Sequence, residues 1–316
     1  MANAVKDAGK EASNKLGWWY SHRFLFWRRF TQLLVLGLFL AGPLFSLWLK
    51  SDVNNRDIAL LRGNYSASQF LDVIPLTDPL MLLQSLATGY WPEMTAIIGG
   101  IIIAAFYAIF ASRLYCSWVC PLNIVTDVAA WLRRKLGLRA SLTLSRQLRY
   151  VAVAVIIAGS ALSGTLLWEW INPVSTLGRG LINGLSQDAI KEGVITGLVF
   201  GFGAGIWLIV AVFFFDLFVT DHGWCGHLCP IGATYGLIGA KSLIKVSAVE
   251  REKCTHCMDC INICPEAHVL RDPLFNKEST PLILNKDCIS CGRCIDVCPE
   301  KVFQIKTRFH QSGVRE

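Results

Sequence analysis

The sequence predicts an α-helical membrane protein whose four transmembrane helices form a two-fold internal repeat, followed by a small cysteine-rich α+β domain. Hydrophobic residues make up 53% of the 316 residues and charged residues only 17%, against roughly 25% charged residues in an ordinary soluble domain. The apolar residues are concentrated in four long stretches, and the 12 cysteines fall into two kinds of repeated spacing. These three observations carry the prediction.

The four apolar stretches cover residues 30–49, 94–112, 150–171 and 194–219. Each approaches the roughly 20 residues that an α-helix needs to cross the hydrocarbon core of a bilayer. Their glycines and single proline are tolerated in membrane helices. A fifth apolar run, 80–86, is too short to span. We expect it to lie along the interface or to pack on the helix bundle.

Basic residues predict the orientation, because Lys and Arg accumulate in cytoplasmic loops. Segments 1–29 and 113–149 carry six and seven of them, whereas 51–93 and 169–193 carry two each and more acids than bases. We therefore predict a multi-pass protein of the bacterial inner (cytoplasmic) membrane with both termini cytoplasmic. The net charge of +7 is mostly this topology signal, so nucleic-acid binding is not expected.

Two cysteine runs near the C-terminus share the spacing Cys-x2-Cys-x2-Cys-x3-Cys-Pro. This is the bacterial ferredoxin spacing for two [4Fe–4S] clusters, in which the fourth cysteine of each run binds the other cluster. Zinc sites usually pair two ligands and then leave a longer gap. We predict one cluster on Cys254, Cys257, Cys260 and Cys298, and a second on Cys288, Cys291, Cys294 and Cys264.

The predicted domains are a cytoplasmic N-terminal arm (1–29), a four-helix membrane domain (30–245) and a 2[4Fe–4S] ferredoxin-like domain (246–316). Between the two cysteine runs, residues 267–287 are more than a minimal ferredoxin needs. We expect a loop and short strands there.

The remaining cysteines form two Cys-x3-Cys-Pro copies, Cys116/Cys120 and Cys225/Cys229. Each copy follows two predicted spanning helices and precedes an apolar segment, which indicates a repeat about an axis normal to the membrane. A proline suits the first turn of a helix, where outward N–H groups lower the pKa of a thiol. Three roles stay open: a third metal or cluster site, redox-active thiols or a disulfide between copies, and packing or docking.

Glu169, between two tryptophans at the outer end of the third stretch, is a candidate for a catalytic proton acceptor. Acids at membrane depth often mark proton paths. The alternative is a helix-end acid that faces water. Because no histidine lies inside a predicted span, a haem held by two histidines within the bilayer is not supported.

The motifs resemble those of the NapH family, the membrane ferredoxin-type subunits of the periplasmic nitrate reductase system. The resemblance rests on four segments, namely Arg113-Leu-Tyr-Cys116-Ser-Trp-Val-Cys120-Pro121, Trp168-Glu-Trp-Ile-Asn-Pro173, Cys225-Gly-His-Leu-Cys229-Pro230 and Cys254-Thr-His-Cys-Met-Asp-Cys260. It extends from the first predicted span to Cys298. Membrane ferredoxins that regulate nitrous oxide reductase or assemble cytochrome oxidase share the Cys-x3-Cys-Pro motifs but carry additional domains.

The resemblance implies an electron-transfer subunit of a quinol dehydrogenase, an oxidoreductase, which passes electrons from membrane quinol toward periplasmic nitrate reductase. The implied partners are a NapG-like periplasmic iron–sulfur protein and a NapC-like tetrahaem cytochrome. One difficulty is that the predicted topology places both clusters on the cytoplasmic side. Maturation of a periplasmic metalloenzyme, with the clusters as electron donors, is the main alternative, and a redox sensor or docking scaffold is the third.

Overall fold

The computed structural model describes residues 9–49, 61–71, 73–138, 142, 144–184, 194–276 and 278–309. Lys6 and Arg139, both counted in the topology prediction, lie outside the described residues, as do the predicted outer-loop segments 50–60 and 185–193.

Helices dominate the first 240 residues. In chain order they are α1 (Lys10–Leu16), α2 (Trp18–Leu49), α3 (Pro79–Ala87), α4 (Met94–Ile109), α5 (Leu114–Trp118), α6 (Leu122–Leu136), α7 (Leu148–Ser163), α8 (Leu167–Ile171), α9 (Pro173–Gly184), α10 (Val194–Phe218) and α11 (Pro230–Ile238). A wide π turn, Trp224–Leu228, precedes α11. Three short antiparallel strands, β1 (Leu61–Gly63), β2 (Ala67–Phe70) and β3 (Ile74–Thr77), follow α2.

The four predicted spans fall on α2, on α4, on α7 with α8, and on α10. Among the described residues one helix, Trp18–Ala41, is long and apolar enough to cross a membrane, and the other three give shorter apolar helices. The expected span 150–171 is interrupted, because α7 ends at Ser163 and the next residue, Gly164, has a φ of 65° in the left-handed region. A helix of 16 residues is about 24 Å long, less than the roughly 30 Å of a hydrocarbon core.

The run 80–86 packs on the bundle, one of the two alternatives that the sequence left open. It forms most of α3, which contacts α4, α7 and α11, and Leu80 is fully buried there. The strand β3 lies against α4 at Gly99, where a Cβ atom would approach the carbonyl oxygen of Pro75 to 3.0 Å. Strand β3 and helix α3 therefore fold back onto the helices.

The C-terminal region is a compact α+β unit. Strands β4 (Ile244–Ser247) and β5 (Gln304–Thr307) pair antiparallel, with Ile244 opposite Thr307. Short helices α12 (Asp259–Ile263) and α14 (Arg293–Asp296) occupy corresponding places in the two cysteine runs, and α13 (His268–Phe275) lies between them.

The expectation of a loop and short strands over 267–287 was wrong in its first half, because α13 occupies it. The sequence HVLRDPLF places Val269, Leu270 and Leu274 on one face, and all three are buried in the core of the unit. In place of the expected short strands, the described residues of this segment form one isolated β-bridge, between Leu282 and Ser247.

The N-terminal helices pack directly on the C-terminal unit. Helix α2 begins at Trp18, so the predicted arm and the first predicted span share one helix. The backbone N–H groups of Phe24 and Leu25 donate to the carboxylate of Asp296. Gly292 lies so close to α2 that a Cβ atom would come within 2.4 Å of the Phe24 ring. This contact places the second cysteine run against the base of α2.

Candidate iron–sulfur sites

The first predicted ligand set lines a single cavity. Cys254, Cys257, Cys260 and Cys298 all contribute to its wall, with apolar side chains around them. Burial raises the pKa of Cys260 to about 12, and Cys298, Cys257 and Cys254 raise it further through their charges. The cysteine from the second run thus lies with the three from the first run.

The second predicted set shows the same grouping. Burial raises the pKa of Cys264 well above its usual range, and the charges of Cys291 and Cys288 act in the same direction. Burial likewise raises the pKa of Cys294, with contributions from Cys291, Cys264 and Cys288. Cys264 therefore lies among the cysteines of the opposite run.

The backbone of both runs fits a cluster. His256 and Ser290, each directly before the second cysteine of its run, have left-handed φ angles of 56° and 51°. Met258 and Gly292, each directly after that cysteine, have φ angles of 67° and 73°. The two loops thus have the same conformation, which curls the backbone around the thiols. The donor set and this cradle suit a [4Fe–4S] cluster, whose four thiolates each bind a different iron.

The four other predicted cysteines come together from the two Cys-x3-Cys-Pro copies, and we call them the cysteine tetrad. Cys116 lies on α5, Cys225 lies in the π turn, and Cys120 and Cys229 directly precede Pro121 and Pro230 at the starts of α6 and α11. Burial raises the pKa of Cys225, and the charges of Cys229, Cys120 and Cys116 raise it further. All four thiols are free, without a disulfide.

The expected helix-terminus effect on the tetrad is present but outweighed. Burial raises the pKa of Cys229 to about 12, although the N–H groups of Gly232 and Ile231 act to lower it. The expectation of a lowered thiol pKa was therefore wrong for the free thiols, because their desolvation exceeds the gain from the helix start. Among the described residues, no group of three or more potential ligands is close enough to hold a single metal ion.

A buried charge network joins the tetrad to the second cysteine run. Nη1 of Arg113 lies 2.7 Å from Oε1 of Glu266 and donates to the backbone oxygen of Asp287, directly before Cys288. Nη2 of Arg113 donates to the backbone oxygen of Cys225 at 2.8 Å. Arg149 pairs with both Glu266 and Asp287, and Arg113, Arg149 and Glu266 are each at most 1% exposed.

A second contact runs beside this network. The hydroxyl of Ser117, next to Cys116, donates to the backbone oxygen of Ile289 at 2.6 Å. The indole N–H of Trp118 donates to the backbone oxygen of Ser290 at 3.1 Å. Side chains that neighbour Cys116 therefore bind the backbone of the loop Cys288–Cys291.

A group of residues that sequence reasoning missed packs against Cys120 and Cys229 of the tetrad. Tyr107, Tyr115 and Tyr235 pack together, with ring centroids of Tyr107 and Tyr235 4.6 Å apart. Tyr235 hydrogen-bonds to Asp78, and burial raises the pKa of Asp78 to about 7. The sequence signal for Asp78 was its position before Pro79, a helix start, but nothing in the sequence placed it inside the bundle.

Glu169 lies in a polar cluster of its own. Its Oε1 atom accepts hydrogen bonds from the hydroxyls of Ser66 at 2.6 Å and Ser175 at 3.3 Å. Its charge helps to raise the pKa of Asp78, so the two carboxylates are electrostatic neighbours. This arrangement differs from the water-facing helix end that was the alternative reading of Glu169.

Comparison with known families agrees with the C-terminal geometry. Residues 253–302 match the family described as 4Fe-4S dicluster domain, and residues 93–139 and 196–247 match the family described as 4Fe-4S binding domain. No solved structure matches the chain. The C-terminal fold, its eight cysteines and these matches define an iron–sulfur electron-transfer protein of the ferredoxin type.

Sequence relatives show which family of ferredoxin-type proteins the chain belongs to. The chain is 55% identical to the ferredoxin-type protein NapH of Haemophilus influenzae, covering 99% of this chain and 100% of the relative. It is 52% identical to NapH of Escherichia coli, covering 98% of each. The chain belongs to the NapH family, which confirms the resemblance read from its motifs. It is also 46% identical to the methylamine utilization ferredoxin-type protein MauN of Methylorubrum extorquens, over 91% of this chain and 90% of the relative.

Proposed function

We propose that this protein is a membrane-bound component of a quinol dehydrogenase that passes electrons from quinol toward periplasmic nitrate reductase. The observation that carries the proposal is the buried contact between the cysteine tetrad and the loop of the second cluster. Arg113 and Ser117 reach from one site to the backbone of the other. Two redox-capable cysteine groups that Arg113 and Ser117 connect in this way form a path for electrons.

The cluster ligands are those predicted from the spacing, with Cys254, Cys257, Cys260 and Cys298 on one cluster and Cys288, Cys291, Cys294 and Cys264 on the other. Their support is the cavity that the first set lines and the mutual electrostatic influence within the second. When bound, such clusters accept and donate single electrons. The protein contributes the cradle, the burial that excludes water, and the contact with the tetrad.

The tetrad is proposed as a third redox or metal site between quinol and the ferredoxin-like domain. Its support is the convergence of Cys116, Cys120, Cys225 and Cys229, and the match of both flanking segments to a 4Fe-4S binding family. Their raised pKa keeps the free thiols protonated, so thiolates would form only with a positive centre to pair with.

The membrane domain is proposed to cross the inner membrane four times, by α2, α4, α7 and α10, with both termini cytoplasmic and the two halves as repeats. Support comes from large apolar side chains exposed along these helices, such as Ile101 on α4, Val155 on α7 and Trp207 on α10. In water such faces would be costly, whereas lipid covers them. The match of one family to both 93–139 and 196–247 supports the repeat.

Quinol oxidation releases two electrons and two protons. Asp78, buried beside Tyr235 and close to Glu169, is a better-placed proton acceptor than Glu169 alone, because it also neighbours the tyrosines that reach the tetrad. Because the clusters are proposed to lie on the cytoplasmic side, electrons would reach a NapG-like periplasmic iron–sulfur protein by way of a NapC-like tetrahaem cytochrome in the membrane. The identity to NapH relatives supports this destination over the methylamine system named for the MauN relatives.

The test is anaerobic reduction of the purified full-length protein by quinol, followed by EPR. We expect reduced-cluster signals with quinol, and much slower reduction in the double variant Cys116→Ser/Cys225→Ser despite full reduction by dithionite. Wild-type protein that dithionite reduces and quinol does not, even with the partner proteins present, would contradict the proposal. That result would favour the second candidate, electron supply to maturation of a periplasmic metalloenzyme.

A further inference from the structure

A large cleft lies between the N-terminal helices, α6 and the C-terminal unit. Its volume is about 930 Å³, within the usual range for ligand sites. Two carboxylates, Asp127 and Asp296, face it, against six cationic side chains. The six are Lys10, Arg28, Arg29, Arg134, Lys135 and Arg293. The excess of positive charge favours an anionic ligand.

Several donors in this cleft are buried without a partner. Arg28 is 1% exposed, yet its Nε and Nη1 atoms have no hydrogen-bond partner among the described residues. Two further donors of the cleft, Nη1 of Arg134 and Nε of Arg293, also have no hydrogen-bond partner in the described part of the chain. A buried guanidinium N–H that stays unpaired costs free energy, and guanidinium groups match phosphate oxygens in geometry. The donors therefore indicate a phosphate group.

The carboxylate of Asp127 is not enough to neutralise the guanidinium groups of the cleft. It pairs with Arg29 and Arg293, and lies 3.6 Å from Nη2 of Arg28. One carboxylate thus serves three guanidinium groups. Asp296 is engaged by the backbone of Phe24 and Leu25.

The rim of the cleft is apolar and continues onto α2. Trp18 and Trp131 stand at the edge, 64% and 54% exposed. On α2, Leu25 lines the cleft and is 39% exposed, and Leu33, one helical turn beyond Arg29, is 58% exposed. Tryptophan is enriched where protein meets the headgroup region, and basic pockets at the ends of membrane helices bind anionic headgroups.

We propose that this cleft binds the phosphate of an anionic phospholipid, whose acyl chains lie along the exposed apolar face of α2. The headgroup contacts Arg28, Arg134 and Arg293, and so joins α2, α6 and the cluster-bearing helix α14. A soluble phosphate fits the donors but leaves the apolar face uncovered, which is why a lipid is favoured. The inference rests on the proposed membrane placement of α2.

The experiment uses full-length protein with its clusters, purified in detergent and examined by native mass spectrometry. The probes are phosphatidylglycerol, zwitterionic phosphatidylcholine and inorganic phosphate. We expect phosphatidylglycerol to stay bound and the other two to be lost. The double variant Arg28→Gln/Arg134→Gln should bind phosphatidylglycerol about tenfold more weakly or worse, because each basic residue adds to the attraction. Arg28→Lys, which keeps the charge, should lose less.

Arg271→Gln is the matched control, since Arg271 is an exposed arginine on α13 that does not line the cleft. It should bind lipid like the wild type. Unchanged visible absorbance of the clusters shows that a variant is folded, and if the double variant fails this check, Arg134→Gln alone replaces it. Equal binding of both lipids, wild-type binding by a folded cleft variant, or inorganic phosphate bound as tightly as the lipid would each overturn the proposal.

The membrane placement of α2 is measured separately, by carbonate extraction of membranes from cells that express the chain. A protein that stays in the membrane but shows no preference for phosphatidylglycerol overturns the lipid site and leaves the proposed function intact. A protein that is extracted overturns both.

Discussion

The two cysteine-rich regions of this protein are each built from two copies of a motif, yet they assemble in different ways. In the C-terminal unit, three cysteines of each predicted site lie within seven residues of chain, and one comes from the other run. In the tetrad, two pairs more than 100 residues apart meet only because α6 packs on the π turn and Tyr115 of α5 stacks on Tyr235 of α11. Local spacing therefore identifies the first kind of site, and tertiary packing creates the second.

The largest effect is expected from Cys264→Ser. If the fourth cysteine belongs to the opposite cluster, this change should remove the cluster of the second run and leave the other EPR signal intact. Cys298→Ser should have the complementary effect, because Cys298 lines the cavity of the first run. Loss of the same signal in both variants would break the crossed assignment.

The second-largest effect is expected from substitutions in the tetrad. Cys120→Ser/Cys229→Ser should keep the iron of the ferredoxin-like domain while slowing reduction by quinol by about a hundredfold, because the path from quinol is interrupted. Iron analysis and stopped-flow absorbance measure the two quantities. If quinol reduced this variant at the wild-type rate, the tetrad cysteines would have a packing role and no role in electron transfer.

Glu266→Ala tests the contact between the tetrad and the C-terminal unit, because Glu266 of that unit pairs with Arg113. It leaves Arg113 and Arg149 buried with one fewer partner, and breaking a buried ion pair costs roughly 3–5 kcal/mol. Thermal unfolding in detergent should show the loss. Glu250→Ala is the control, since the Glu250–Lys253 pair is exposed and should cost at most about 1 kcal/mol. Equal effects would contradict the buried role.

The ion pairs of Asp127, which hold the N-terminal helices against the C-terminal unit, should make the stability of the protein depend on pH. Burial acts to raise its pKa, but the charges of Arg293, His222 and Arg28 outweigh it and hold the pKa of Asp127 below the ordinary value. A lowered folded-state pKa stabilises the protein above the unfolded pKa of about 3.9, and this is lost as pH falls through the folded value.

Asp127→Asn should therefore lower stability by about 2–3 kcal/mol at pH 7, and its difference from the wild type should vanish in strong acid. Denaturant unfolding at several pH values measures this. Asp272→Asn, at an exposed position on α13, is the control. A difference that grows as the pH falls would contradict the assigned sign.

The smallest effect concerns Tyr235→Phe. The variant keeps the ring packing with Tyr107 and Tyr115 but removes the hydroxyl that hydrogen-bonds to Asp78. We expect a loss of about 1 kcal/mol of stability, because one hydrogen bond of a buried acid is removed. An unchanged unfolding midpoint would show that Asp78 has another partner.

Much of the site was predictable where the chain itself brings the groups together. The cysteine runs predict ligand sets because a three-residue spacing winds one loop around one cluster. The helix starts at Pro121 and Pro230 were also predicted correctly, since proline suits a first turn. Asp78 and the tyrosines were not, because β3 and α3 fold into the bundle through contacts at Gly99 and Leu80 that no local pattern encodes.

The sequence by itself determined the family, the ferredoxin-like end and the apolar helices, because these depend on residue type and on spacing along a few turns of chain. Only the tertiary structure decided that Arg113 connects Cys225 with Glu266 and Asp287, and that Arg28 faces a cleft shared by three elements. Contacts between residues more than 100 positions apart depend on how helices pack, and many sequence-compatible packings would place these charges elsewhere. The buried charges are therefore the part of this protein that only its fold explains.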